Sequence, residues 1–159
     1  MTTNLLLLGG TAEARALAAR LHPEVGVISS LAGRVPDPAL PVGEVRIGGF
    51  GGADGLRDWL RDNGIDAVVD ATHPFAATIT ATAATVCAEL GLPHLVLARP
   101  AWEPAGVTLV GSDIEAAELV ARQGYSRIFL TTGRSGTAAF VGSDAWFLIR
   151  AVTPPDPAT

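Results

Sequence analysis

Residues 9–14, Gly-Gly-Thr-Ala-Glu-Ala, follow the leucine run Leu5 to Leu8 and lead into an alanine-rich stretch. A strand that turns through glycine into a helix offers free backbone amides and the positive end of the helix dipole to an anion, so these residues suit phosphate binding. On the dinucleotide fingerprint G-x-G-x-x-G/A, Gly9 stands at the first glycine, Gly10 follows it, Thr11 replaces the second glycine and Ala14 the third. Gly9 permits the tight turn, and Ala14 is small enough for helix to meet strand. The Cβ of Thr11 keeps the backbone slightly further from a pyrophosphate, while its hydroxyl offers a donor to a phosphate oxygen. Any strand-to-helix turn needs glycine, so these residues by themselves fit a purely structural turn equally well.

Ligands of open α/β sheets bind beyond the carboxyl ends of the strands, so function belongs in the turns that follow the other apolar runs. After the second run come Ser29, Ser30, Leu31, Ala32, Gly33 and Arg34, at the point where an NAD-binding protein places an acid for the ribose 2′-hydroxyl. The first acid is only at Asp37, and two hydroxyls with an arginine suit a 2′-phosphate, which favours NADP over NAD. After the third run, Gly48, Gly49, Phe50, Gly51 and Gly52 provide backbone that can lie close to a ligand, with Phe50 available to pack on adenine; a flexible turn explains them too. After the fourth run, in Asp70-Ala-Thr-His-Pro-Phe-Ala76, Pro74 holds His73 extended and suits the first turn of a helix. Thr72 and His73 are then placed to reach a nicotinamide or a substrate, or else Thr72 caps the helix and His73 is a structural hydrogen-bonder. Thr131, Thr132, Gly133 and Arg134 form a further hydroxyl-rich turn whose arginine suits a carboxylate, a phosphate or solvent.

All eleven basic residues are arginine. Without lysine there is no Walker P-loop, no Schiff base and no Tyr-x-x-x-Lys dehydrogenase pair, and anions are left to guanidinium forks, hydroxyls and backbone amides. A net charge of −5 with no basic cluster argues against nucleic acid. No apolar run reaches the length of a membrane span, and Leu5 to Leu8 is too short for a signal-peptide core, so the cytoplasm is the expected location. Cys87 stands alone, and His22, His73 and His94 lack metal-ligand spacing, so no metal is expected.

Short apolar runs alternate with helical segments throughout, the pattern of a parallel sheet covered by helices. Strands are expected at Leu5 to Leu8, Gly26 to Ser29, Glu44 to Ile47, Ala67 to Asp70, Leu95 to Ala98, Thr108 to Val110, Arg127 to Leu130 and Trp146 to Ala151. Helices are expected at Ala12 to Leu21, Asp54 to Asn63 and Ala76 to Leu90, with a fourth opened by the capping box Ser112 and Glu115, facing the core with Leu119 and Val120 and closed by Gly124. The fold class is α/β, a doubly wound, mostly parallel, Rossmann-like sheet with helices on both faces. One domain is expected over residues 1–152, with 153–159 a proline-rich linker or frayed end.

In order and spacing, LLLLGGTAEAR, SSLAGR, GGFGG, DATHPFA and LTTGR resemble the precorrin-6A reductase family of cobalamin biosynthesis along essentially the whole chain, DATHPFA being the most specific. The resemblance implies NADPH-dependent reduction of one double bond in a corrin precursor, precorrin-6A to precorrin-6B, by two Rossmann-like halves with the tetrapyrrole between them. Carried over, Gly9, Gly10 and Thr11 bind the pyrophosphate, Ser29, Ser30 and Arg34 the 2′-phosphate region, and Thr72, His73 and Pro74 the nicotinamide side. Arg134 is a candidate for substrate carboxylates. His73 is the imidazole expected near the site and a candidate proton donor, a role that solvent or a second half could equally fill. Family members continue into a second α/β half, so this chain is expected to be mainly the cofactor half, completed by that half or a partner chain, and to bind NADPH but reduce poorly by itself. A non-catalytic NADP- or phosphate-ligand-binding module acting through a partner is the alternative.

Overall fold

The four leucines of the first strand are buried without polar interruption because both faces of that strand are covered. In a computed structural model, which describes residues 3–33, 37–100, 103–134, 136–151 and 154, they belong to β1 (Asn4–Leu8). Side chains alternate across a strand. Leu5 and Leu7 pack with Val27 and Val69 against Ala14 and Ala18 of α1 (Ala12–Leu21). Leu6 and Leu8 pack on the opposite face with Leu56 and Leu60 of α2 (Ala53–Asp62) and Ala83, Val86 and Cys87 of α3 (Ala77–Leu90). Fully burying each such leucine contributes about 1.5–3 kcal/mol.

The chain divides into two compact units, residues 1–101 and 102–159, where the sequence suggests one domain through 152. In the first unit β1 is joined by β2 (Gly26–Leu31), β3 (Glu44–Ile47), β4 (Ala67–Asp70) and β5 (His94–Val96). All pairs are parallel and the order is β3-β2-β1-β4-β5, the doubly wound arrangement expected, with helices on both faces. The second unit holds α4 (Asp113–Gln123), β6 (Arg127–Leu130), a short 3-10 helix (Thr137–Phe140) and β7 (Trp146–Ile149), with β6 and β7 parallel.

Several local expectations shift. Thr108 to Val110 is no strand: it has no ladder partner among the described residues, and Leu109 is exposed. The capping box forms, Ser112 Oγ accepting from the Glu115 amide at 3.1 Å and Glu115 Oε2 accepting from the Gly111 amide at 2.7 Å, yet α4 buries no residue fully. α3 starts at Ala77, leaving Pro74 in a preceding turn that the Ala76 amide closes onto the His73 carbonyl at 2.9 Å. Thr72 does not cap that helix; its hydroxyl is committed to Asp70. Arg34 and the segments 152–153 and 155–159 lie outside the described residues.

Candidate functional site

Parallel register brings the strand ends together. Leu8 pairs with Ser30 on one side and Asp70 on the other, Ser30 pairs with Arg46, and Asp70 pairs with Val96. One transverse row therefore runs Arg46, Ser30, Leu8, Asp70, Val96 along the carboxyl rim, and the glycine turn of residues 9–11 rises from its centre.

Hydrogen bonds tie the neighbouring turns to one another. The Gly9 amide donates to the Ser30 carbonyl at 2.9 Å, and Thr11 Oγ1 donates to the Ala71 carbonyl at 2.7 Å while accepting from the Ala14 amide at 3.1 Å. The Thr11 hydroxyl proton is thus directed at Ala71, not offered to a phosphate as expected; its oxygen caps α1, whose first-turn amides are left facing the rim without intrahelical acceptors. Positive φ falls on Gly10, at 106°, and Gly9 needs none. Gly10 is therefore the residue whose backbone conformation makes the turn.

On the β4 side the organiser is Asp70, a buried carboxylate that accepts from the Thr72 amide (3.0 Å), Thr72 Oγ1 (2.6 Å) and Thr80 Oγ1 (2.6 Å). Three bonds to one carboxylate hold the Thr72–Pro74 turn against α3. His73 is exposed, and its Nδ1 accepts from the Phe75 amide at 3.2 Å, which in the neutral ring assigns the proton to Nε2. A cavity of about 190 Å³ opens here, lined among others by Thr11, Glu13, Thr72, His73, Thr80 and Arg99. Across it Arg99 pairs with Glu13 at 2.8 Å, and this hydrogen-bonded guanidinium holds the Glu13 carboxyl below its ordinary range.

At the other end of the row, Arg46 Nη1 donates to Ser30 Oγ (3.0 Å) and to the Gly48 carbonyl (2.9 Å), and Nη2 donates to the Gly49 carbonyl (3.1 Å). Its guanidinium lies over the Phe50 ring, 3.8 Å from the centroid, and Phe50 meets Trp59 edge to face at 5.5 Å. Phe50, expected to pack on adenine, packs against the core and under Arg46 instead. Ser29 and Ser30 part company, as alternation requires: Ser29 is buried on the α1 side with Oγ unpartnered among the described residues, while Ser30 meets Arg46 on the other face.

Gly9, Gly10, Thr11, Ser30, Gly49, Thr72, His73 and Pro74 thus share one rim, while Arg134 is exposed in the second unit, its carbonyl accepting from Thr137. Sequence reasoning missed Arg46, Asp70, Thr80 and the Glu13–Arg99 pair as site residues. The D-x-T spacing of Asp70 and Thr72, which suits an Asx turn, was the one local signal available.

A family profile described as precorrin-6x reductase CbiJ/CobK matches residues 4–159. The chain is 73% identical over 154 residues to a precorrin-6A reductase of Mycobacterium tuberculosis, covering 97% of this chain and 63% of that protein. It is 58% identical over 160 residues to one of Rhodococcus erythropolis, with 97% and 64% covered. A solved structure, CobK precorrin-6A reductase, superposes with a TM-score of 0.85 at 36% identity over 98% of this chain and 63% of its own. The chain therefore spans just under two thirds of the length of these relatives.

Proposed function

The chain belongs to the precorrin-6x reductase CbiJ/CobK family, and from that membership we propose that it binds NADPH along the carboxyl rim of its five-stranded sheet and serves the reduction of precorrin-6A to precorrin-6B in cobalamin biosynthesis. The observation that carries this reading is the joining of turns and strand ends along one rim: Thr11 bonded to Ala71, Gly9 bonded to Ser30, and Ser30 bonded to Arg46. The donor set fits the cofactor. First-turn amides of α1 and the positive φ of Gly10 suit a pyrophosphate, and the ribose end of the rim offers hydroxyl and guanidinium with no carboxylate bonded to them among the described residues.

Bound there, the cofactor would supply the hydride, and the residues of the rim would bind and orient it. Three strand spacings, about 14 Å, separate the Arg46 end of the row from the Asp70 end. We assign adenosine to the first and nicotinamide to the second, beside Thr72, His73 and Pro74. Asp70 fixes the turn that would position the reacting ring, and His73, with its proton on Nε2, is our candidate for delivering a proton to the carbon next to the one reduced. Arg134 is our candidate for a substrate carboxylate, by chemistry and family resemblance. An NADPH-consuming step of this kind is assigned to the cytoplasm.

Loss of NADPH absorbance on mixing the protein with precorrin-6A tests the reading. Consumption that requires the tetrapyrrole supports a reductase; consumption that proceeds equally without it, or NADPH binding that precorrin-6A never turns into oxidation even when the length found in the relatives is supplied, contradicts it.

A further inference from the structure

We infer that Arg46 is the residue that recognises the ribose 2′-phosphate and so sets the preference for NADPH over NADH. The inference rests on the NADPH reading above and adds a residue to it, at a position where sequence pointed to Ser29, Ser30 and Arg34.

The geometry is that of a guanidinium held by neutral oxygens with donors to spare. Arg46 is half-buried, and all three of its hydrogen bonds go to neutral oxygens, those of Ser30, Gly48 and Gly49. It makes no ion pair among the described residues, unlike Arg57, Arg99 and Arg122, each of which meets a carboxylate. A guanidinium carries five donors, so three bonds leave the Nε–H and one Nη2–H without acceptors among the described residues. Partial burial also pulls its pKa down, since neither neutral oxygens nor ring faces fully replace the water lost.

Position identifies the anion that would suit it. In this strand order the ribose lies beyond the end of the second strand, where NAD-binding proteins keep an acid about 20 residues after the first glycine. Ser30 occupies that place here, and Arg46, paired with it in register, bonds its hydroxyl at 3.0 Å. A dianionic phosphate has oxygens for the two free donors and for Ser30, and planar forks suit it better than a point charge. The ring of Phe50 beneath, steadied by Trp59, holds the fork flat.

The test compares dissociation constants of the full chain and of Arg46→Gln and Arg46→Lys for NADPH, NADH, 2′,5′-ADP and 5′-AMP. The unaltered chain is expected to prefer NADPH. Arg46→Gln is expected to weaken NADPH and 2′,5′-ADP by roughly 10- to 100-fold, the loss of a charge-assisted phosphate contact, with NADH and 5′-AMP changed by less than about twofold. Arg46→Lys, which keeps charge but not the fork, is expected between the two. If Arg46→Gln fails to fold, a partial fall in the NADPH-to-NADH ratio in Arg46→Lys supports the inference and an unchanged ratio overturns it. Equal losses for all four ligands make Arg46 a brace of the glycine loop and overturn the inference, as does an unchanged ratio in Arg46→Gln; in both cases NADPH binding itself stands. An unaltered chain with no preference for NADPH removes the cofactor reading and this inference together.

Discussion

Asp70 shows how much of this site hangs on single side chains. Its carboxylate is buried and accepts from Thr72 twice and Thr80 once, so it fastens the turn beside the cavity to α3. Replacing one oxygen by an amide NH2 in Asp70→Asn sets a donor against a hydroxyl or an amide. We expect a loss of about 1–3 kcal/mol in urea unfolding of the first unit, together with weaker reduced-nicotinamide binding because the Thr72–Pro74 turn is released. Full binding despite that loss of stability would separate the turn from the ligand. Arg99 is the second case. Its guanidinium neutralises Glu13 in the first turn of α1, and without it a carboxylate stands beside the amides to which we assign a pyrophosphate. Arg99→Ala should therefore weaken NADPH and NADH alike, the opposite pattern to Arg46→Gln. Recovery of binding in Arg99→Ala/Glu13→Gln would identify the uncovered charge as the cause.

Elements carry the next level of constraint, and α2 sets the limit on the glycine loop. A Cβ built on Gly55 would clash with the Phe50 carbonyl oxygen, so only glycine lets that carbonyl approach the helix. Gly55→Ala must push the loop away, and with it the ring beneath Arg46. The cost expected is about 1–3 kcal/mol by thermal or urea unfolding, with NADPH preference eroded alongside. These elements were legible to different degrees. β1 and α1 could be read directly, because an unbroken leucine run means cover on both faces and Thr11 is a good N-cap. Thr108 to Val110 looked like a strand since β-branched and apolar residues suit one, but a strand needs a neighbour to bond, and no local pattern reports that. Arg46 was passed over for the same kind of reason. Its meaning comes from pairing with Ser30, sixteen residues away in the chain, and that register exists only once the sheet is assembled. The glycines that follow it were conspicuous, whereas the strand residue whose side chain they accommodate was not.

At the scale of the molecule, the first unit has a built-in reporter of its own unfolding. Cys87 is fully buried among Leu60, Val86 and their neighbours, and burial pushes its thiol pKa up. A raised folded pKa means the fold favours the protonated thiol. That contribution is complete below the unfolded thiol's pKa, about 8.5, and is lost as pH rises above it, by at most about 1.4 kcal/mol per pH unit. Stability measured from pH 7 to 10 should fall more steeply in the natural chain than in Cys87→Ala, and a thiol reagent should react only at the rate of unfolding. Parallel slopes, or rapid labelling of the native protein, would show that the core at α3 is open. The two compact units follow from β6 and β7 pairing with each other, a pairing that no local pattern in the sequence reports. What sequence order did convey was the rim itself, because in a parallel sheet every strand delivers its following turn to the same edge.

The central claim, that this rim holds a nicotinamide dinucleotide carrying a 2′-phosphate, is met most directly by titrating the unaltered 159-residue chain with NADPH and with NADH under identical salt and pH, following the fluorescence of the reduced ring. The account predicts saturable binding of both, with NADPH tighter by at least about tenfold, the worth of one charge-assisted contact, and displaced by 2′,5′-ADP. Equal affinities, or binding of neither, would contradict it.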